Sequence, residues 1–329
     1  MSPAPAIEPT PDAARFHPGS HRVALLAAVS TLPLLFVGGS VTSYGVGLAV
    51  PDWPTTFGMN MFLYDFWNAA FGVWVEHIHR LYGAAVGLVT VALAVWFLTF
   101  ERRRFMKVLG VVALTAVIVQ GVLGGTRVTQ VSTLLAAVHG CLGQAYFGLT
   151  VALCVLTGRV WNDAGAVRPD PARLRGRSAL MLVLVYGQVV AGAWFRHYRT
   201  LPALWTHGLL AVGVLVSALT LALSAGGRRA AVTARRPAAR ALGVLAALQV
   251  VLGLGALWLL LPLGGNPRTP TLWQAMTRTA HQTNGALLLG ASVVLALRSF
   301  RHLVPSSTHA ETPSRPEPEP APRAVEALA

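Results

Sequence analysis

Five histidines lie inside long apolar stretches of this 329-residue chain, and four of them share one depth: His79, His139, His207 and His281. They recur on alternate stretches, each a few residues in from one end. At ~1.5 Å per helical residue, all four fall roughly 6–9 Å below the same face of a membrane. An ionisable side chain at that depth is costly and marks a functional position. Four imidazoles at one level make two pairs of metal ligands, and iron carried by heme is the natural metal, since two neutral imidazoles fill both its axial positions. Zinc would need all four rings to converge.

The densest local signal is Glu76-His77-Ile78-His79-Arg80. Glu76 and His79 share a helix face, whereas His77 points away and reads as a helix-mouth residue. Of 12 acidic residues, Glu76 alone falls inside an apolar stretch. Beside a heme it would relay protons, bind substrate or orient His79; the alternative is a pair with Arg80 at the helix mouth. A Gln-x-x-[Leu/Ala]-Gly pattern occurs at Gln120/Gly124, Gln188/Gly192 and Gln249/Gly253. Its spacing puts amide and glycine on one face, where the glycine admits a neighbouring helix or a flat ligand and the amide bonds across it. Arg80, Arg127 and Arg196 lie at the level of the histidines, and with Gln120 and Gln249 they are candidates for the pocket and for heme propionates. His197 is a further propionate candidate, while His17, His21, His302 and His309 lie in or beside the tails and are not expected to be ligands.

The elements that hold these residues are membrane-spanning. The chain is 54% hydrophobic and 12% charged, with mean hydropathy +0.57. Apolar runs occupy 23–44, 74–99, 108–125, 133–157, 178–194, 203–224, 239–262 and 276–298. Most suffice for a ~30 Å hydrocarbon core, and the short ones (108–125 and 178–194) are expected to extend into their flanks. The fold class is therefore an all-α polytopic membrane protein with eight transmembrane helices. The formal charge of +14 orients the protein and does not mark a nucleic-acid partner. If the spans alternate, Arg80, Arg127, Arg196, Arg199, Arg268 and Arg278 fall on the histidine side, and the rest of the 26 Lys and Arg fall on the other. That asymmetry puts both termini in the cytoplasm and the histidines near the outer face of a cell membrane, in contact with lipid.

The spans form a doubled four-helix unit. QGVLGG at 120–125 matches QVVLGL at 249–254, His79 matches His207 at nearly the same offset, and His139 matches His281 across a longer loop. The order of repeats preserves topology, so the halves are related by an axis along the membrane normal. The boundaries expected are a disordered tail over 1–22, an N-terminal half over 23–157, a basic linker over 158–177, a C-terminal half over 178–300 and a second disordered tail over 301–329. The 45–73 loop carries Trp53, Phe57, Phe62, Tyr64, Phe66, Trp67 and Phe71, which suits an interfacial belt or a cap over a site. Cys141 and Cys154 lie ~20 Å apart on one helix, out of disulfide reach.

Several stretches together resemble the heme A synthase family: GLAVPDWPTTFG (47–58), EHIHR (76–80), QGVLGGTRVT (120–129), LAAVHGCLGQAYF (135–147) and AHQTNGALLL (280–289). The resemblance covers about residues 23–300. It implies two similar four-helix bundles, with Glu76, His79 and His139 at the site of the substrate, heme O, and His207 and His281 holding a cofactor heme b. It also implies oxidation of the heme C8 methyl to a formyl group, with O₂ and an external electron donor, in a pathway with heme O synthase and cytochrome oxidase subunits. Many family members carry a cysteine pair near PDWP; here Val50, Thr55 and Thr56 stand in that neighbourhood, so no thiol step is available there. The same histidine pairs would also serve a di-heme electron carrier linked to quinol, or a heme transporter.

Overall fold

The computed structural model describes residues 16–162, 168–170, 173–226, 236–260 and 270–305. The chain forms α1 (Pro18–Tyr44), the hairpin strands β1 (Thr55–Thr56) and β2 (Met59–Asn60), then α2 (Phe71–Phe100), α3 (Arg104–Thr129) and α4 (Thr133–Thr157). After the short α5 (Arg159–Asn162) and β3 (Arg168–Pro169) come α6 (Leu174–Tyr198), α7 (Leu201–Gly226), α8 (Arg236–Trp258), α9 (Leu272–His302) and β4 (Leu303–Val304). Among the described residues, eight helices are long and apolar enough to cross a membrane. The protein is an all-α, multi-pass membrane protein.

Helix ends follow from local chemistry. α1 starts with Pro18 in its first turn, capped by the His17 ring accepting from Ser20 N–H, and stops at Gly45 with φ 72°. α4 is capped by Ser132, and α9 by a reciprocal Thr271–Gln274 capping box. The two short runs do extend: α3 starts at Arg104 and α6 at Leu174, adding basic residues whose long stems cover apolar surface while their heads reach polar groups. Lys107 shows this directly, its Nζ donating to Leu98 O at 2.9 Å.

Three expected boundaries move. Residues 18–22 belong to α1, and His21 bonds Thr157 on α4 at 3.2 Å. Part of the basic linker is ordered: Asp170 caps α6 by accepting from the N–H groups of Leu174 and Arg175, at 2.7 and 2.9 Å. Residues 301–304 are not tail, because α9 runs to His302 and β4 pairs in parallel with β3. The His21–Thr157 bond and the β3–β4 pairing join segments far apart in the chain, which hides them from the sequence, whereas the Asp170 cap is local. Residues 1–15 and 306–329 of the expected tails, with His309, and Arg268 lie outside the described residues.

Two separate cores define the halves. One joins α1 to α4 through Ala24, Ala27, Val86, Leu93, Phe97, Met106, Ala113, Tyr146, Leu153 and Leu156. The other joins α6 to α9 through residues such as Met181, Val185, Ala218, Leu242, Leu288 and Leu295. In each half the four helices close into a ring, and α1 and α4 meet α9 while α4 also meets α6. Accordingly α4 and α9 have 50% and 56% of their apolar windows buried, against 17–33% for the other six. Glycines permit that close central contact: Gly148 of α4 faces Leu289, and Gly290 of α9 faces Phe147. The contact pattern of α4 and α9 places them beside the pseudo-twofold axis that the repeats require.

Candidate functional site

The four histidines sit in the second or third turn of α2, α4, α7 and α9, all at the same end of the bundle. They pair within halves. The His79 and His139 ring centres are 6.4 Å apart with planes at 87°, and the His207 and His281 ring centres are 6.1 Å apart at 76°.

Each ring lies on the bare backbone of a neighbouring helix. A methyl added at Gly38 would stand 2.9 Å from His79 Cε1, one at Gly124 3.2 Å from His139 Cε1, and one at Gly192 or Gly253 2.9 Å from His207 or His281 Cε1. The glutamines four residues earlier complete the cradle. Gln120 donates to His139 O at 3.0 Å, Gln188 to His207 O at 2.9 Å and Gln249 to His281 O at 3.0 Å. The pattern thus does both things that its residue types allow: the glycine seats the imidazole, and the amide ties that histidine's backbone to the next helix. Gly38 carries no glutamine before it, so the pattern could not find it.

The geometry fits a metal between the rings. At roughly 2.0–2.1 Å per metal–nitrogen bond and about 1.1 Å from nitrogen to ring centre, two imidazoles opposed across one metal stand about 6.3 Å apart. Both pairs match that spacing. In all four rings Nδ1 is buried without a hydrogen-bond partner. Among the described residues no group of three or more His, Cys, Asp or Glu gathers to hold an ion. Two imidazoles alone would leave most positions of a metal unfilled, and a porphyrin is a carrier that would fill them.

The loop between α1 and α2 closes the end of the N-terminal half. Phe57 and Gly58 both take positive φ, 51° and 76°, forming the two-residue turn that joins β1 to β2. Asp52 holds that turn, accepting from Phe57 N–H and Gly58 N–H at 2.8 Å each and from the Thr55 hydroxyl. Burial pushes the Asp52 carboxyl up, but those bonds, led by Gly58 N–H, outweigh it and bring its pKa down to about 2. The Trp53 indole lies directly on Gly125 of α3, where no side chain would fit. The loop covers this end of the helices as a cap, while Phe62, Trp67 and Phe71 of its aromatic set stay exposed, as an interfacial belt would.

Glu76 and Arg80 anchor it. Glu76 is 1% exposed, accepts from Val50 N–H at 3.0 Å and pairs with Arg80 at 3.0 Å. Arg80 also donates to the carbonyls of Val50, Asp52 and Thr55 at 2.9, 2.7 and 3.1 Å. Of the readings open for Glu76, the geometry contains the ion pair. With both terminal nitrogens so engaged, Arg80 clamps the loop, and the propionate role expected of it does not match this arrangement. His77 is not an open helix-mouth residue: it is fully buried beneath the loop, near the Thr56 hydroxyl at 3.3 Å and against Tyr64 and Phe66.

Arg196 is likewise engaged. It donates to Gln282 Oε1 at 2.6 Å, Gly39 O at 2.9 Å and Ser43 Oγ at 2.8 Å, tying α6 to α9 and α1 across the two halves. Among the described residues the ion pairs are Arg80–Glu76 and Arg103–Glu101. Arg127, beside Gly47, has no such partner. Arg278, which the sequence reading did not select, has a buried Nε without a partner and is three residues before His281. The i,i+3 spacing was the signal available for it.

Fold and site define a class: a multi-pass membrane protein with two related helix bundles, each holding a pair of neighbouring imidazoles. Residues 21–205 match the family described as "Cytochrome oxidase assembly protein" (COX15-CtaA). The chain belongs to that family. It is similar to the "Heme A synthase" of Methylorubrum extorquens strain PA1, 28% identical over 92% of this chain and 93% of the relative. It is also similar to the proteins of that name from Shouchella clausii and Exiguobacterium sibiricum, 26% and 27% identical over 55% and 54% of this chain. In these latter matches the chain spans 60% of each relative's length.

Proposed function

We propose that this protein is a heme-oxidising enzyme of the heme A synthase type, converting the C8 methyl of heme O to a formyl group by two successive oxygen insertions and loss of water. The observation that carries the reading is the pair of neighbouring imidazoles in each half, with ring centres at the spacing that a bis-imidazole iron requires. The family relationship supports the choice of reaction. His79 and His139 hold the substrate heme O, and His207 and His281 hold a cofactor heme b. Iron, with O₂ and an external electron donor, supplies the oxidant that side chains lack.

The chain's own residues do the positioning. Gly38, Gly124, Gly192 and Gly253 seat the rings, and Gln120, Gln188 and Gln249 fix the backbone behind three of them. Arg127 stands free for a carboxylate such as a propionate. Glu76 holds the cap through Val50 and Arg80 and provides the carboxylate nearest the substrate half, where protons are exchanged during oxidation. The charge asymmetry supports an orientation with both termini cytoplasmic and the sites near the outer face. Heme O synthase supplies the substrate, and cytochrome oxidase receives the product.

The test is co-expression with a heme O synthase, followed by heme extraction and mass analysis. The reading requires a heme O-derived aldehyde that disappears in His79→Ala, and falls sharply in Glu76→Gln with heme still bound. Heme b bound beside unmodified heme O, with reductant present, would assign the protein as an electron carrier instead.

A further inference from the structure

The four cradles are not equal. In the C-terminal half, Gln188 and Gln249 donate to the histidine carbonyls and also stand 3.4 and 3.3 Å from the Nε2 atoms of His207 and His281. In the N-terminal half, Gln120 reaches the His139 carbonyl. Among the described residues His79 receives no such bond: four residues before Gly38, on the same face of α1, stands Leu34. The residue before it is Pro33, inside the helix, which removes a backbone N–H and its bond one turn from Gly38. A second observation agrees. A methyl added at Gly143 or Gly285, one turn inward from His139 and His281, would stand 3.0 or 3.4 Å from the Gln120 or Gln249 amide, whereas one added at Gly83, one turn inward from His79, would meet nothing within 4 Å.

Resting on the heme reading above, we propose that His79 is the exchangeable ligand of the four, and that Leu34 is the positioning residue that makes it so. An iron held by two imidazoles has no position for a small molecule, so one imidazole must yield. Three histidines are fixed at their own level to the neighbouring helix by an amide. The fourth sits on a helix weakened by proline, with open space beneath it. The asymmetry places exchange in the N-terminal half and keeps the C-terminal iron closed.

Carbon monoxide binding to the purified, heme-loaded, ferrous protein tests this by absorbance, independently of turnover. The half responsible is assigned by repeating the titration in His207→Ala/His281→Ala and in His79→Ala/His139→Ala, each of which removes both ligands of one half. Wild type should bind carbon monoxide at the N-terminal site alone. Leu34→Gln, which restores the missing amide, should slow or weaken that binding about tenfold or more. Gln249→Leu, which creates the same gap beside His281, should open the C-terminal site, and it keeps the test valid if Leu34→Gln fails to fold. Equal reactivity of both halves in wild type would overturn the proposal. So would a closed C-terminal site in Gln249→Leu together with unchanged binding in Leu34→Gln. Absence of bis-imidazole heme from the wild-type protein would overturn the heme reading itself, a result that the spectrum before carbon monoxide addition distinguishes.

Discussion

At the scale of single residues, the chemistry of this protein depends on polar groups whose partners are main-chain atoms. Asp52 holds a turn by bonds to backbone N–H groups, and Arg80 holds the same loop through three carbonyls. The Asp52 carboxyl titrates at about 2 in the folded loop, below its usual value near 3.8. A depressed carboxylate contributes stability that is present above the unfolded value and is lost as pH falls through the folded one. The cap should therefore loosen between about pH 4 and pH 2. In Asp52→Asn the Phe57 and Gly58 amides should exchange faster already at neutral pH, with the acid dependence gone. Hydrogen exchange resolved to the 47–67 peptides checks both outcomes. Glu76 and the histidines were legible from the sequence because ionisable residues are rare in apolar runs. Arg80 as a loop clamp was not, since nothing in its neighbours announces which distant carbonyls it meets.

At the scale of elements, seating an imidazole on glycine sets a sharp steric condition. Gly253→Ala forces a methyl to 2.9 Å from His281 Cε1, which costs about 1–3 kcal/mol as overpacking and displaces the ring. Gly208→Ala, next to His207, meets nothing within 4 Å and is the matched control. Heme b retention after detergent purification should fall in the first variant and stay intact in the second. The join between halves has its own determinant in Arg196. Arg196→Ala removes three bonds to α1 and α9 and leaves Gln282 Oε1 without its donor, while Ser43 Oγ keeps the bond from the Thr279 hydroxyl, a loss on the order of 2–4 kcal/mol. Thermal unfolding in detergent should show a lower Tm, with Arg196→Lys between the two. The Gln-x-x-x-Gly spacing marked three of the four positions in advance as sites of close approach, without showing that the group seated there is an imidazole. The fourth escaped because Leu34 replaces its glutamine, and a lone glycine in an apolar helix carries no distinguishing mark.

At the scale of the whole molecule, duplication explains why so much of the architecture was readable. Periodic apolar runs gave the eight helices, and matching histidines and Gln–Gly pairs gave the halves, because both patterns follow from one four-helix unit used twice. The ends were less legible. The β3–β4 pair and the α1 start at Pro18 depend on contacts between segments far apart in sequence. The central place of α4 and α9 was also hidden, since their apolar content alone does not separate helix-facing from lipid-facing residues. Orientation has a direct check. In a background with Cys141 and Cys154 replaced, Asn60→Cys in the cap should react with a membrane-impermeant thiol reagent in intact cells, and Arg102→Cys should not. The reverse pattern would invert the protein.

The central claim is that each histidine pair holds one iron macrocycle. Quantifying heme per chain, with electron paramagnetic resonance of the ferric protein, tests it most directly in wild type, in His79→Ala/His139→Ala and in His207→Ala/His281→Ala. The account predicts that each double variant loses the low-spin bis-imidazole signal of its own half and keeps that of the other. Unchanged heme content and unchanged signals in both double variants would contradict it.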